Sequence, residues 1–246
     1  AHSVNPLKIS VLEIKNDSNI DTKISFAYMI RPVMGEKADA NFAYIGTKWS
    51  DLNCMFVAEN HRKDTLFPDK LFLISSLAPE SYTGNYNEFI GKKGCVAFPE
   101  AMSDYSSYLS DSCGYGFNPC MAIKNTITVK PGISVSVAYI VGNTDDEDTF
   151  CRSICDVKNP YDAMKQLSSV KKLWSDLLGV ITVDTPDIAL NYMLNGWLLY
   201  QVKSCRVDGR SAFYQSGGAY GFRDQLQDCL ALLHVDSKFV RSHILM

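Results

Sequence analysis

Apolar and polar residues alternate along 7–14 and again along 22–30, the period of two that predicts strands with one face buried. Asn16, Asp17, Ser18 and Asn19 supply turn chemistry between the two runs, so they are expected to form a hairpin. A compact apolar run at 71–77, alternation at 125–129, and alternation again at 134–141 beyond the turn-forming Pro131-Gly132 pair carry the pattern to about residue 142. Strands spaced by loops in this way predict an antiparallel β-sandwich. Two intervening stretches, 81–94 and 103–119, are rich in Gly, Asn, Tyr and Ser and too long for hairpin turns. Loops of that size bind something or pack on a neighbouring domain. Their aromatic residues, Tyr82, Tyr86, Phe89, Tyr105, Tyr108, Tyr115 and Phe117, suit sugar platforms and interdomain packing equally.

Beyond Thr144 the period changes. The acidic run 145–148 suits a helix start, and 163–178 places Leu167, Val170, Leu173, Trp174, Leu177 and Leu178 at helical spacing, closed by Gly179. This predicts a helical linker. Residues 180–183 form a short extended piece, and Thr185-Pro186-Asp187 offers an N-cap with proline at the first helical position. The helix expected at 186–205 is apolar around most of its circumference, the mark of burial in a large helical assembly. Residues 225–233 and 238–246 predict a second helix and the start of a third. Such helices cannot complete a fold alone.

With 46% hydrophobic and 21% charged residues, the 246-residue chain can build one or two ordinary cores. A net charge of -3 offers no broad basic surface, which argues against nucleic acid as a partner. The longest apolar run, 188–199, is broken by Asn191, Asn195 and Gly196, so no membrane span is expected. Eight scattered cysteines lack CxxC pairs and are expected as buried free thiols, with no metal, in a cytoplasmic protein. Residues 1–6 do not resemble a signal peptide, and 238–246 stop without a capping glycine or polar tail. The expectation is a piece of a longer protein.

One segment, 206–228, concentrates Arg, Asp, Gln and Tyr among glycines beside otherwise apolar helices. Glycines let backbone approach a ligand or a neighbour closely, and the polar groups then need partners. Aromatic rings, carboxylates and amides suit a sugar, and the planar fork of arginine suits phosphate oxygens. The alternative is a buried salt-bridge network in which Arg210 and Arg223 pair with Asp208, Asp224 or Asp228. The residue types leave the two readings balanced.

The stretch from Arg210 through Gly217-Gly218-Ala219-Tyr220-Gly221-Phe222-Arg223-Asp224 to Asp228 resembles the signature of the first helix pair of the (α/α)6 barrel in glycoside hydrolase family 94. Residues 81–91, Gly116-Phe117-Asn118-Pro119-Cys120 and Pro131-Gly132 are similar to that family's N-terminal domain. The resemblance implies a multidomain chain, β then α: a supersandwich-like β-sandwich at 1–143, a helical linker at 144–183 and a truncated (α/α)6 barrel from 184 to 246. It implies an inverting glycoside phosphorylase using inorganic phosphate as co-substrate and no other cofactor.

The version of the motif here is most similar to 1,2-β-oligoglucan phosphorylases and to the phosphorylase-like end of cyclic β-1,2-glucan synthases. Cellobiose-type members carry an extra arginine where this chain has Gly217-Gly218-Ala219, a departure that argues against cellobiose. Arg210 and Asp224 match family positions that hold the sugar at the donor subsite. Arg223, Gln215, Tyr214 and Gln227 lie in the same segment, either lining the site or supporting its loop. The family's general acid, an aspartate, is expected beyond Met246, so no catalytic residue is assigned within the chain. A β-1,2-linked oligoglucan and phosphate are the expected partners, with a homodimer left open. A non-catalytic carbohydrate-binding sandwich would account for 7–142 but not for the helices or for 206–228.

Overall fold

A computed structural model describes residues 2, 5–35, 41–62, 70–103, 108–144, 146–209 and 221–245. The chain divides into two compact units, Ala1–Leu167 and Ser168–Met246.

The described residues of the first unit include eight strands: β1 Leu7–Lys15, β2 Thr22–Ile30, β3 Ile45–Ser50, β4 Met55–Asn60, β5 Lys70–Ser75, β6 Ser81–Asn85, β7 Pro119–Val129 and β8 Ser134–Thr144. They form a five-stranded sheet, β1-β8-β5-β4-β3, and a three-stranded sheet, β2-β7-β6, in which all paired neighbours are antiparallel. The sheets meet through Ile45, Phe56, Leu73, Val137 and Tyr139 on one side and Met121 and Ile123 on the other. Tyr28 and Tyr139 stack across this layer with ring centroids 4.4 Å apart.

Both outer faces are covered as well. Helix α1 (Tyr86–Ile90) and the turn Glu100–Met102 close the small sheet through Phe89, Ile90 and Ala101. Helix α2 (Glu147–Ser153) closes the large one, its Phe150 stacked on Phe72 at 4.9 Å. β4, β5 and β8 are therefore apolar on both sides, which is why 71–77 reads as a continuous run rather than an alternation.

The expected hairpin between the first two strands does not form. β1 pairs with β8 and β2 with β7, in different sheets. The β1–β2 and β7–β8 connections both cross between sheets, side by side, and Asn16 fastens them. Its N–H donates to the Ile133 carbonyl at 3.1 Å, its carbonyl accepts from Gly132 N–H at 2.8 Å, and its amide nitrogen donates to Val129 at 2.7 Å. The Pro131-Gly132 turn forms as expected: Ile133 N–H reaches the Lys130 carbonyl, and Gly132 takes φ +71. Residues 81–90, expected as loop, are β6 and α1. Ser81 and Thr83 are small enough to sit buried at the inter-sheet edge, where polar side chains conceal a strand from an apolar pattern.

The second unit is helical. The division falls within α3 (Pro160–Leu178), which Gly179 ends by donating its N–H to Ser175. The long helix 188–208 follows as α4 (Ile188–Tyr192), a π-helical stretch Met193–Trp197, α5 (Leu198–Gln201) and a second π-helical stretch Val202–Asp208. Its cap is Asp187, accepting from Ala189 and Leu190 N–H at 2.9 and 3.2 Å, two residues beyond the expected Thr185 cap. Thr185 instead bonds to Asn191, whose oxygen accepts from its N–H and hydroxyl. Asn195 exchanges two bonds with the backbone of Val183 at 2.7 and 2.8 Å. The two asparagines that break the apolar run thus fasten the extended piece before the helix.

Helices α6 (Phe222–Leu230) and α7 (Ser237–Ile244) pack with this helix through Val207, Cys229, Leu232 and Val240. Its all-round apolar surface is not covered: Ile188, Tyr192 and Trp197 are 69%, 76% and 54% exposed. No helix among the described residues is long and apolar enough to cross a membrane. The eight thiols are free, but only Cys120 and Cys229 are buried as expected: Cys113, Cys151 and Cys205 are half-buried, and Cys54, Cys95 and Cys155 are exposed.

Candidate functional site

Three of the six expected sugar-binding residues, Arg223, Asp224 and Gln227, lie on α6; Arg210, Tyr214 and Gln215 lie outside the described residues. Asp224 is the third residue of the helix, where its carboxylate complements the positive N-terminal end of the helix dipole. It folds back over Gly221, whose missing side chain makes room: a Cβ there would lie 2.8 Å from Asp224 Oδ2. Asp224 is half-buried, while Arg223 and Gln227, one turn apart, share an exposed face.

The frame around this turn is held by charge. Arg206, near the end of the helix 188–208, presents Nε to both oxygens of Asp228 at 3.2 and 3.1 Å. The pair ties together the helices on either side of 210–220. Asp208 is engaged with Lys203. Among the described residues, Asp208 and Asp228 pair with Lys203 and Arg206, whereas the alternative network through Arg210 lies outside the described residues.

Gln225, which the sequence reading passed over, is 4% exposed among apolar residues. Its Oε1 meets His243 Nε2 at 2.9 Å and joins α6 to α7, while its Nε2 is buried without a hydrogen bond. The available signal was a glutamine at helical spacing from Cys229 and Leu232, polar where the stripe should be apolar. A cavity of roughly 260 Å³ in the same unit is lined by Ile181, Val183, Leu194, Leu198, Val202 and Val235. Its walls are mostly apolar, and the amide of Asn195, which also lines it, is engaged with the Val183 backbone. Among the described residues no cluster of three or more His, Cys, Asp or Glu could hold a metal.

The aromatic residues of the two long stretches have separate fates. Phe89 is core, Tyr82 stacks on Trp49 at 4.5 Å, and Tyr86 lies under the Arg31 guanidinium at 4.3 Å. Tyr108 and Tyr115 are 65% and 63% exposed, Phe117 is half-buried, and Tyr105 lies outside the described residues.

Two family models match the chain: the glycosyl hydrolase 94 supersandwich domain over residues 2–160, and the glycosyl hydrolase 94 superfamily catalytic domain over residues 173–246. The chain is 32% identical over 244 residues to the cyclic β-(1,2)-glucan synthase NdvB of Rhizobium meliloti (strain 1021), covering 99% of this chain and 8% of that protein. It is 30% identical over 177 residues to the N,N'-diacetylchitobiose phosphorylase of Vibrio proteolyticus, covering 70% of this chain and 22% of the relative. Solabiose phosphorylase of Paenibacillus borealis is 24% identical over 239 residues, which are 92% of this chain and 29% of that protein. The chain thus spans less than a third of the length of each of these relatives.

Proposed function

Since the chain belongs to glycosyl hydrolase family 94, we propose that it forms the β-sandwich and the first barrel helices of an inverting phosphorylase acting on β-1,2-linked oligoglucans. The observation that carries the reading is the placement of Asp224: half-buried in the first turn of α6, beside Arg223, with the helices flanking 210–220 braced by Arg206 and Asp228. A carboxylate held at a helix N-terminus is an acceptor fixed in space, able to take two hydroxyl bonds from one pyranose without reorganising. Arg210, Tyr214, Gln215, Arg223 and Gln227 complete the proposed donor subsite.

Inorganic phosphate is the proposed co-substrate, attacking the anomeric carbon from the face opposite the departing glucan to give α-glucose 1-phosphate. An inverting glycosidase needs an acid for the leaving oxygen and a base for water. Phosphate is already anionic and needs positioning rather than deprotonation, so one acid suffices. Asp208 and Asp228 are committed to Lys203 and Arg206, and Asp224 is assigned to the sugar. The acid we propose is the aspartate that the family resemblance implies beyond Met246.

The β-1,2 linkage is supported by the motif without the extra arginine, Gly217-Gly218-Ala219, and by the near full-length match to NdvB. That match also favours a second reading, in which the chain is a region of a cyclic β-1,2-glucan synthase. Free thiols throughout accord with a reducing compartment.

The test is phosphate-dependent release of glucose 1-phosphate from β-1,2-linked glucooligosaccharides by the longer protein carrying this chain. Asp224→Asn is expected to lower kcat/KM by about a hundredfold or more, as loss of a charged hydrogen bond strengthened in the transition state requires. Turnover near wild type would overturn the assignment.

A further inference from the structure

Tyr115 is an exposed ring that the fold holds still. Its loop runs along the free edge of β3, where Thr47 N–H donates to the Gly114 carbonyl at 3.0 Å and Gly114 N–H donates to Thr47 Oγ1 at 3.3 Å. Gly114 and Gly116 flank it at φ +143 and +79, conformations that side-chain-bearing residues avoid. The ring lies against the backbone of Gly46, so closely that a Cβ there would fall 2.2 Å from Tyr115 Cε1. Its hydroxyl meets His61 Nε2 at 2.6 Å. Glu59 stands directly across from Gly46 in the β3–β4 register and projects from the same face.

Edge pairing, ring seat and hydroxyl bond together fix a side chain that remains 63% exposed and belongs to none of the apolar clusters of the unit. Burial does not account for it. An ordered aromatic face open to solvent, with an imidazole and a carboxylate at its border, matches a pyranose: C–H groups stack on the ring while hydroxyls reach the polar atoms. Ordering the ring beforehand removes the entropic cost that a mobile tyrosine would add on binding.

We propose that Tyr115, His61 and Glu59 form a stacking platform for a glucosyl ring of a β-linked glucan chain. The choice of glucan rests on the functional reading above, whereas the platform itself rests on the geometry of β3 and its loop.

The experiment is affinity electrophoresis of the full chain through gels containing linear β-1,2-glucan, with dextran as a control, followed by titration with β-1,2-glucooligosaccharides. Wild type is expected to be retarded by the β-1,2-glucan. Tyr115→Ala should weaken binding about tenfold, and Gly46→Ala, which leaves the tyrosine in place but displaces its ring, should weaken it comparably. Tyr115→Phe keeps the stacking face and should lose no more than about threefold. Glu59→Gln gives an independent reading that leaves the loop intact, with loss of several-fold expected.

Absence of wild-type retardation, or wild-type affinity in both Tyr115→Ala and Gly46→Ala, overturns the proposal. Asp224→Asn separates the two readings. If it abolishes phosphorolysis while Tyr115→Ala binds normally, the platform alone fails. If Tyr115→Ala loses binding while Asp224→Asn turns over normally, the donor-subsite reading alone fails.

Discussion

Asp224 owes its position to its neighbours: Gly221 vacates the space it folds into, and the Arg206–Asp228 pair holds the turn that presents it. Arg206→Ala would leave Asp228, whose side chain is 18% exposed, without its guanidinium partner. Between the small value of an exposed pair and the larger cost of an uncompensated buried charge, the expected loss is about 1–2 kcal/mol, read by urea denaturation. Glu88 offers a second test in the other unit. Burial works to raise its carboxyl, but bonds from the Thr83 hydroxyl, from Ser110 through backbone and side chain, and from Ser112 outweigh it and hold it below the ordinary 4.5. A lowered carboxyl stabilises the fold when ionised. That contribution is complete above the ordinary value and disappears as pH falls through the folded one. Wild type should therefore lose melting temperature as pH drops below about 4.5, while Glu88→Gln, already less stable at neutral pH, should show a flatter acid limb. At this scale the family resemblance puts forward Asp224 and Arg223 as candidates, but it does not mark Gln225 or Glu88. Their importance comes from His243 and from Thr83, Ser110 and Ser112, partners that folding brings together.

Among the elements, the crossing of β1–β2 and β7–β8 between sheets depends on Asn16, 4% exposed, whose amide also donates to the Ile20 carbonyl at 2.8 Å and accepts from Ser18 N–H at 3.0 Å. Asn16→Ala strands the buried Val129 carbonyl and removes the bonds to Ile20 and Ser18, and is expected to cost about 2–3 kcal/mol, measurable as a lower denaturation midpoint with an unchanged slope. Asn16→Asp keeps the acceptor but loses the donor to Val129 and should recover only part of that. The same residue explains why a hairpin was expected. Turn chemistry at 16–19 is local and visible in sequence, but whether a turn joins strands within a sheet or between sheets is decided by the distant partners β7 and β8. The helices were more legible, since helical periodicity and Gly179 are local signals. The start of the helix at 188 shifted because Asp187, not Thr185, reaches the free N–H groups of Ala189 and Leu190.

For the whole molecule, the sandwich followed by barrel helices was visible because strand alternation gives way to helical spacing near residue 144, and the motif at 210–228 named the family that the supersandwich and catalytic-domain matches establish. The substrate is a separate matter, because the relatives share the frame while their names carry different sugars. The most direct measurement of the central claim is a crystal structure of the longer protein with a β-1,2-linked glucooligosaccharide bound. The account predicts a glucosyl ring with its hydroxyls at hydrogen-bond distance, about 2.7–3.0 Å, from the Asp224 carboxylate and the Arg210 guanidinium. A sugar bound in the barrel with neither residue in contact would contradict it.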